Sequence, residues 1–236
     1  MTTPISTGPS STPHPLRGLL IAQFIGAFND NAWKLMVALL AIRQLASTIA
    51  PGLEFETAAQ TQTALAFVVF TLPLALVSIV AGVLADRVSK RTVIIMMKSV
   101  EVLLMTAAAA ALWSNPAGGT LPLIVLGSMG IHSALFSPAK YGILAELLPH
   151  EKLAAGNGQL EMWTFLAILT GTAAPGILLS VSGSSLWLAP LFLALLSLAG
   201  LAAAWTIPPV PAARSEGGLF NTLQGAWSAL AVDRML

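Results

Sequence analysis

The chain has 236 residues, of which 56% are hydrophobic and 9% are charged, whereas an ordinary soluble domain has about 25% charged residues. This composition excludes a soluble globular protein, because no soluble core could hide so much apolar surface. The formal net charge of +1 gives no indication of a nucleic-acid partner, and the absence of cysteine excludes disulfides, thiolate metal sites and a cysteine nucleophile.

From the N-terminus onward, the sequence predicts a tail, a membrane bundle and a linker. Residues 1–16 are rich in Ser, Thr and Pro and predict a disordered cytoplasmic tail without the basic region of a signal peptide. Residues 17–207 contain six segments with the roughly 20 mostly apolar residues that a transmembrane helix needs, so we expect an all-α membrane protein. The predicted spans are Gly18–Ile42, Gln62–Ala85, Thr92–Trp113, Leu121–Leu147, Leu153–Val181 and Leu186–Ile207. Residues 208–236 are mildly amphipathic and predict a cytoplasmic linker rather than a seventh span.

Basic residues occupy alternate loops between the predicted spans. Arg17, the group between residues 87 and 91, Lys152 and Arg214 all fall on one side of the membrane. The opposite loops contain Arg43 as their only basic residue, together with two glutamates. Because basic loops face the cytoplasm, this distribution predicts that both ends of the chain are cytoplasmic.

The first span carries a polar stripe at its centre. At about 100° per residue, Gln23, Gly26, Asp30 and Lys34 fall on one arc of the helix, with Asn31 at its edge. One interpretation is a local ion pair between Asp30 and Lys34, four residues apart, that only holds helices together. The interpretation we favour is a stripe that lines a water-filled path or a site for a polar head group, since ionisable groups at this depth are costly.

Other spans also carry polar side chains at depth. In the fourth span, His132 and Lys140 share one helix face, and Pro138 between them should kink or loosen the helix. The fifth span opens with Asn157 and Glu161, which are four residues apart. The first and fourth spans each hold a central lysine, as corresponding members of two three-helix repeats would, which is an argument for transport.

The third span contains Lys98 and Glu101, three residues apart. For Lys98 the simpler interpretation is a side chain that extends to the cytoplasmic edge of the membrane. Glu101 lies deeper in the span, so this interpretation applies less well to it.

The loop after the second span has the most specific motif in the chain. The segment "GVLADRVSKR" resembles the loop signature of the major facilitator superfamily. The resemblance implies a conformational latch in which the glycine permits close helix contact, the aspartate joins a charge network and the basic residues anchor the loop. The alternative is a solvated turn that obeys the positive-inside rule. The residues of the implied latch are Gly82, Asp86, Arg87 and Arg91.

Three further stretches resemble one branch of that superfamily, the bacterial lysophospholipid transporters. They are "QFIGAFNDNAWK", "SPAKYGILAELLP" and "LAAGNGQLEMWTFLAILTG", and the resemblance covers most of residues 23–176. It implies transport of lysophospholipids such as lysophosphatidylethanolamine across the bacterial inner membrane by alternating access. The matching motif charges are Asp30, Lys140 and Glu161, which would contact a zwitterionic head group or change partners between states. The expected substrate-binding set is Asp30, Asn31, Lys34, Lys140, Asn157 and Glu161.

Superfamily transporters have two six-span halves, so we expect this chain to be an N-terminal half that lacks its C-terminal partner; a dimer of six-span units is the alternative.

Lys34 departs from the stand-alone transporters and looks more like the branch fused to acyltransferases. The alternative functions are therefore transport of another small molecule or drug, or the membrane part of a bifunctional transporter and acyltransferase. We expect no enzyme activity in this chain, because none of its three histidines begins an H-x4-D motif. We also expect no cofactor and no metal site.

Overall fold

The computed structural model describes residues 15–85 and 88–210, which form six α-helices and one short 3₁₀ turn. The helices are α1 (Arg17–Ala46), α2 (Leu53–Ala85), α3 (Lys90–Ser114), α4 (Thr120–Leu147), α5 (Leu153–Ser182) and α6 (Leu188–Trp205). The 3₁₀ turn covers His150–Lys152 and leads directly into α5. Most of the predicted tail and linker lies outside the described residues, so both remain predictions.

The predicted spans correspond one by one to these helices, with one clear correction. The second helix begins at Leu53 rather than Gln62, and Glu54 and Glu56, which we placed in a loop, lie in its first turn. Polar residues lower the hydropathy of this first part of the helix, so a search for apolar runs does not include it. Carboxylates are nevertheless favourable there, because the N-terminus of a helix carries a partial positive charge.

Within the described residues, five helical segments are long and apolar enough to cross a membrane, and they belong to α2, α3, α4, α5 and α6. The first helix is not among them, although its 30 residues would extend about 45 Å. The polar residues at its centre lower its hydropathy. The α4 helix runs through Pro138 without a break.

The core consists of two apolar clusters with a polar layer between them. One cluster contains Trp33, Met129 and Leu193, and the other contains Leu19 and Ile143. Between these levels, the helices bury polar side chains whose relative exposure is 4% or less. These buried polar residues are Gln23, Asn29, Lys98, Glu101, His132 and Ser197. The polar layer therefore lies near the middle of the helices, where the apolar surroundings make unpaired groups costly.

Glycines permit close packing in two of the main helix pairs. The helices pack chiefly as α2 on α4, α1 on α5 and α3 on α6. A Cβ atom at Gly130 of α4 would overlap the carbonyl oxygen of Phe70, and one at Gly171 of α5 would lie 2.5 Å from the carbonyl oxygen of Phe28. Small residues at these positions let the helix backbones approach each other, as in other membrane bundles.

Gly171→Val should destabilise the bundle, because the valine side chain would push α5 away from α1. Overpacking of this kind typically costs about 1–3 kcal/mol, which corresponds to a fall of about 5 °C in melting temperature for a chain of this size. The control is Gly176→Val on the same helix, where an added Cβ meets no described atom within 4 Å. Thermal unfolding of both variants in detergent would test this, and equal melting temperatures would contradict it.

Candidate functional site

A polar cavity of about 320 Å³ lies between α1, α2, α4 and α5, with Lys98 of α3 at its wall. This volume is at the lower end of the range for ligand pockets. The predicted stripe of α1 forms one side of the cavity. The cavity is lined on α1 by Gln23, Gly26, Ala27, Asp30, Asn31 and Lys34, and on α4 by His132, Ser133, Ala134, Phe136, Ser137 and Lys140.

The structure brings four of the six predicted binding residues together. Asp30, Asn31, Lys34 and Lys140 all line the cavity, as the helical periodicity of α1 and α4 predicts. The other two predicted residues, on α5, are not among those that line it. Both of these side chains, Asn157 and Glu161, are exposed.

Asp30 and Lys34 do not form the local ion pair that the sequence left open. The Oδ2 atom of Asp30 accepts a hydrogen bond from Ser133 Oγ at 2.5 Å, and its Oδ1 atom is buried without a hydrogen-bond partner among the described residues. Lys34 Nζ donates to Asn31 Oδ1 at 3.1 Å and lies over the rings of Phe67 and Phe70, at 4.7 and 4.9 Å from their centres. The carboxyl group of Asp30 and the amino group of Lys34 therefore have separate partners in the cavity.

Lys140 places a second amino group at the cavity, from α4. Its Nζ atom lies 4.8 Å from the ring centre of Tyr141. The hydroxyl of Tyr141 in turn donates a hydrogen bond to Glu161 Oε1 at 2.5 Å. Glu161 is therefore connected to the cavity through Tyr141, although it does not line it.

A buried polar network joins three helices beside the cavity. Lys98 Nζ and Glu101 Oε2 are 2.5 Å apart, and both side chains are almost completely buried. Glu101 Oε1 accepts hydrogen bonds from Asn29 Nδ2 at 2.8 Å and from Ser197 Oγ at 3.1 Å. The interpretation that Lys98 extends to the membrane edge is therefore wrong, because the carboxylate of Glu101 holds its ammonium group at depth.

Sequence reasoning missed two members of this network. Asn29 directly precedes Asp30 in α1, so its side chain points in a different direction around the helix axis. It faces α3 and α6 instead of the cavity. Ser197 is a polar residue in an otherwise apolar stretch of α6, and this interruption is the signal that could have identified it. His132, which shares a helix face with Lys140, contacts the carbonyl oxygen of Met97 through Nε2 at 2.9 Å.

The predicted latch is described only in part. Asp86 and Arg87 lie outside the described residues. A Cβ atom at Gly82 would meet no described atom within 4 Å. Arg91 donates hydrogen bonds to the carbonyl oxygens of Ile207 at 2.7 Å and Trp205 at 3.1 Å, and so caps the C-terminal end of α6.

The described ranges contain no group of three His, Cys, Asp or Glu side chains that could hold a metal ion. Lys34 and Lys140 place amino groups at the cavity, and Asp30 places a carboxyl group there. Such a site can bind and orient a charged molecule.

The chain is similar in sequence to several known proteins. The chain is 34% identical over 203 residues to the lysophospholipid transporter LplT of Photorhabdus laumondii, which covers 86% of this chain and 45% of that protein. It is 32% identical over 225 residues to LplT of Escherichia fergusonii, which covers 95% of this chain and 50% of the relative. The chain thus spans about half the length of these curated relatives. No solved structure matches it. The family model of the Major Facilitator Superfamily matches residues 19–236. The chain therefore belongs to the Major Facilitator Superfamily and is a multi-pass membrane protein.

Proposed function

We propose that this chain is part of a carrier that moves lysophospholipids, such as lysophosphatidylethanolamine, across the bacterial inner membrane by alternating access. The observation that carries the proposal is the separation of ionisable groups in the cavity. Lys34 and Lys140 place amino groups there, Asp30 places a carboxyl group there, and no salt bridge within 4.0 Å joins any of them among the described residues. The names of the relatives support the same substrate class.

A zwitterionic head group complements these charges. Its phosphate would bind the ammonium groups of Lys34 and Lys140, and its own ammonium group would bind Asp30, whose Oδ1 atom has no partner in the described part of the chain. Charge-assisted hydrogen bonds of this kind are about twice as strong as neutral ones. The single acyl chain would lie against apolar side chains such as Leu74 and Ile168, which also line the cavity.

The helix contacts favour two three-helix repeats within a six-span unit. If α1, α2 and α3 are equivalent to α4, α5 and α6, the pair α2–α4 is equivalent to α5–α1, and α3–α4 to α6–α1. Extensive contacts are present in all four of these helix pairs. In this arrangement α1 crosses the membrane with α4 as its counterpart, and the polar stripe of α1 faces the cavity instead of lipid.

We further propose that the exposed apolar surfaces of α2 and α5 contact lipid and a second six-helix unit, which would close the cavity. Glu161 would hold Tyr141 beside Lys140 at the rim of the cavity, and Asn157, one turn earlier on α5, would contribute to the same rim. The segment from the end of α2 to the start of α3, with Gly82, Asp86, Arg87 and Arg91, would act as the latch between states, with both ends of the chain in the cytoplasm.

Transport by the purified protein in proteoliposomes would test the proposed function. We expect it to move a fluorescent lysophosphatidylethanolamine between leaflets faster than protein-free vesicles do, and to leave a sugar and a cationic drug untransported. Transport of the drug or the sugar without transport of the lysolipid would overturn the proposal and support another substrate in the same superfamily.

A further inference from the structure

A second cavity of about 810 Å³ lies on the other side of α1, away from the polar stripe. Most residues that line it on α1 and α5 are apolar, among them Leu20, Phe24 and Trp163, while Gln159 of α5 is polar. Two cationic side chains, Arg17 and Lys152, lie at the end of the cavity where α1 begins and α5 approaches. No aspartate or glutamate is among the residues that line it. We call this cavity the α1–α5 groove.

The groove is separate from the polar cavity. Phe24 and Trp163 pack edge to face, with ring centres 5.8 Å apart, and both line the groove. The neighbouring residues Gln23 and Thr164 face the other way, where they form a 2.8 Å hydrogen bond and line the polar cavity. The contact between α1 and α5 is therefore a wall with a different cavity on each side.

The position of the groove matches one leaflet of a bilayer. Arg17 and Lys152 lie on the side that the distribution of basic residues predicts to be cytoplasmic. From Arg17 to Phe24, α1 rises about 10 Å, which is less than the ~15 Å half-thickness of the hydrocarbon core. The cations are then level with lipid phosphates while the apolar walls are level with acyl chains.

We propose that the α1–α5 groove binds an acidic phospholipid of the surrounding membrane, distinct from any transported substrate. The phosphodiester contacts Arg17 and Lys152, and one acyl chain packs against Leu20, Phe24 and Trp163. Charge complementarity selects the ligand, because basic pockets between transmembrane helices on the cytoplasmic side bind acidic head groups. This proposal depends on membrane insertion and does not depend on the identity of the carried molecule.

The experiment compares lipids retained by the protein after extraction from nanodiscs that contain equal amounts of phosphatidylglycerol and phosphatidylcholine, measured by native mass spectrometry. We expect the wild-type protein to retain phosphatidylglycerol preferentially. The double variant Arg17→Gln/Lys152→Gln should bind it about 30-fold more weakly, since each cation near the membrane surface contributes to attraction of acidic lipid. Arg43→Gln, at the opposite end of α1, is the matched control and should retain it as the wild type does.

A second variant tests the apolar half of the groove while leaving both cations in place. Ile21, which is 41% exposed, lines the groove, so Ile21→Trp should fill it and displace the acyl chain without disturbing the core. Equal phosphatidylglycerol retention by the wild type, the double variant and Ile21→Trp would overturn the proposal. Retention of phosphatidylcholine equal to that of phosphatidylglycerol would also overturn it. Loss of the bound lipid on addition of 10-fold excess inorganic phosphate would overturn it as well, because the site would then bind a free anion.

Discussion

Glu101→Gln should destabilise the protein more than any other single isosteric substitution proposed for it. The variant keeps the size of the side chain but removes the charge that pairs with Lys98. Removing one partner of a buried ion pair typically costs about 3–5 kcal/mol, because the other charge is left uncompensated. We expect the melting temperature in detergent to fall by about 10 °C.

The geometry around Glu101 explains the size of this effect. Its Oε2 atom is 2.5 Å from Lys98 Nζ, and both side chains are almost completely buried. Its Oε1 atom accepts hydrogen bonds from Asn29 of α1 and Ser197 of α6. One carboxylate therefore joins α1, α3 and α6 at the level where the apolar clusters are interrupted.

Two controls separate the buried charge from general disruption. The double variant Lys98→Met/Glu101→Leu removes both charges and should recover a large part of the lost stability. Glu146→Gln breaks the more exposed pair with Lys90, whose side chains are 22% and 11% exposed respectively, and should cost at most about 1 kcal/mol. An unchanged melting temperature for Glu101→Gln, or a double variant no more stable than the single one, would contradict the prediction.

Most of the fold could be predicted from the sequence because a membrane makes hydropathy informative. Apolar runs bounded by Gly, Pro and charged residues correspond to α3, α4, α5 and α6 with small differences at their ends. The start of α2 could not be predicted this way, since the residues after Leu53 are polar enough to be read as a loop. Their helical structure becomes visible only in three dimensions.

The cavity could be predicted in part, and the helical repeat explains which part. Asp30 and Lys34 on α1, and His132 and Lys140 on α4, recur at four-residue and eight-residue spacings, so each pair faces one direction whatever the neighbouring helices do. Which direction that is depends on the rotation of the whole helix. A single sequence does not contain this information for Glu161, which we expected in the cavity and which is exposed.

Pairing across helices was the least predictable feature. The two asparagines that flank Asp30 look alike in the sequence, yet Asn31 lines the cavity and Asn29 binds Glu101. The role of Asn29 depends on a contact with a residue 72 positions away in the chain, whereas the hydrogen bonds of Asn31 stay within α1. Lys98 was misinterpreted although its partner Glu101 is only three residues away, because the burial of this pair depends on the helices packed around it.

Asp30→Asn should lower transport of lysophosphatidylethanolamine by about 10- to 100-fold while leaving the protein folded. A hydrogen bond to a charged group contributes about 1.5–3 kcal/mol, and each 1.4 kcal/mol is a factor of ten in affinity. Asparagine preserves the volume of the side chain and can still accept the hydrogen bond from Ser133. The melting temperature should change little, because Asp30 forms no salt bridge within 4.0 Å among the described residues. Glu54→Gln, an exposed carboxylate at the start of α2, is the matched control.

A comparison of two substrates shows whether Asp30 contacts the head group or only supports the cavity. If the carboxylate binds the ammonium group, Asp30→Asn should reduce transport of lysophosphatidylethanolamine much more than that of lysophosphatidylglycerol, which has a phosphate but no ammonium. Lys140→Gln should reduce both, since both lipids carry the phosphate. An equal loss for the two lipids in Asp30→Asn, or no loss at all, would contradict a direct contact. Selectivity between head groups would then have to arise from residues other than the carboxylate at the centre of α1.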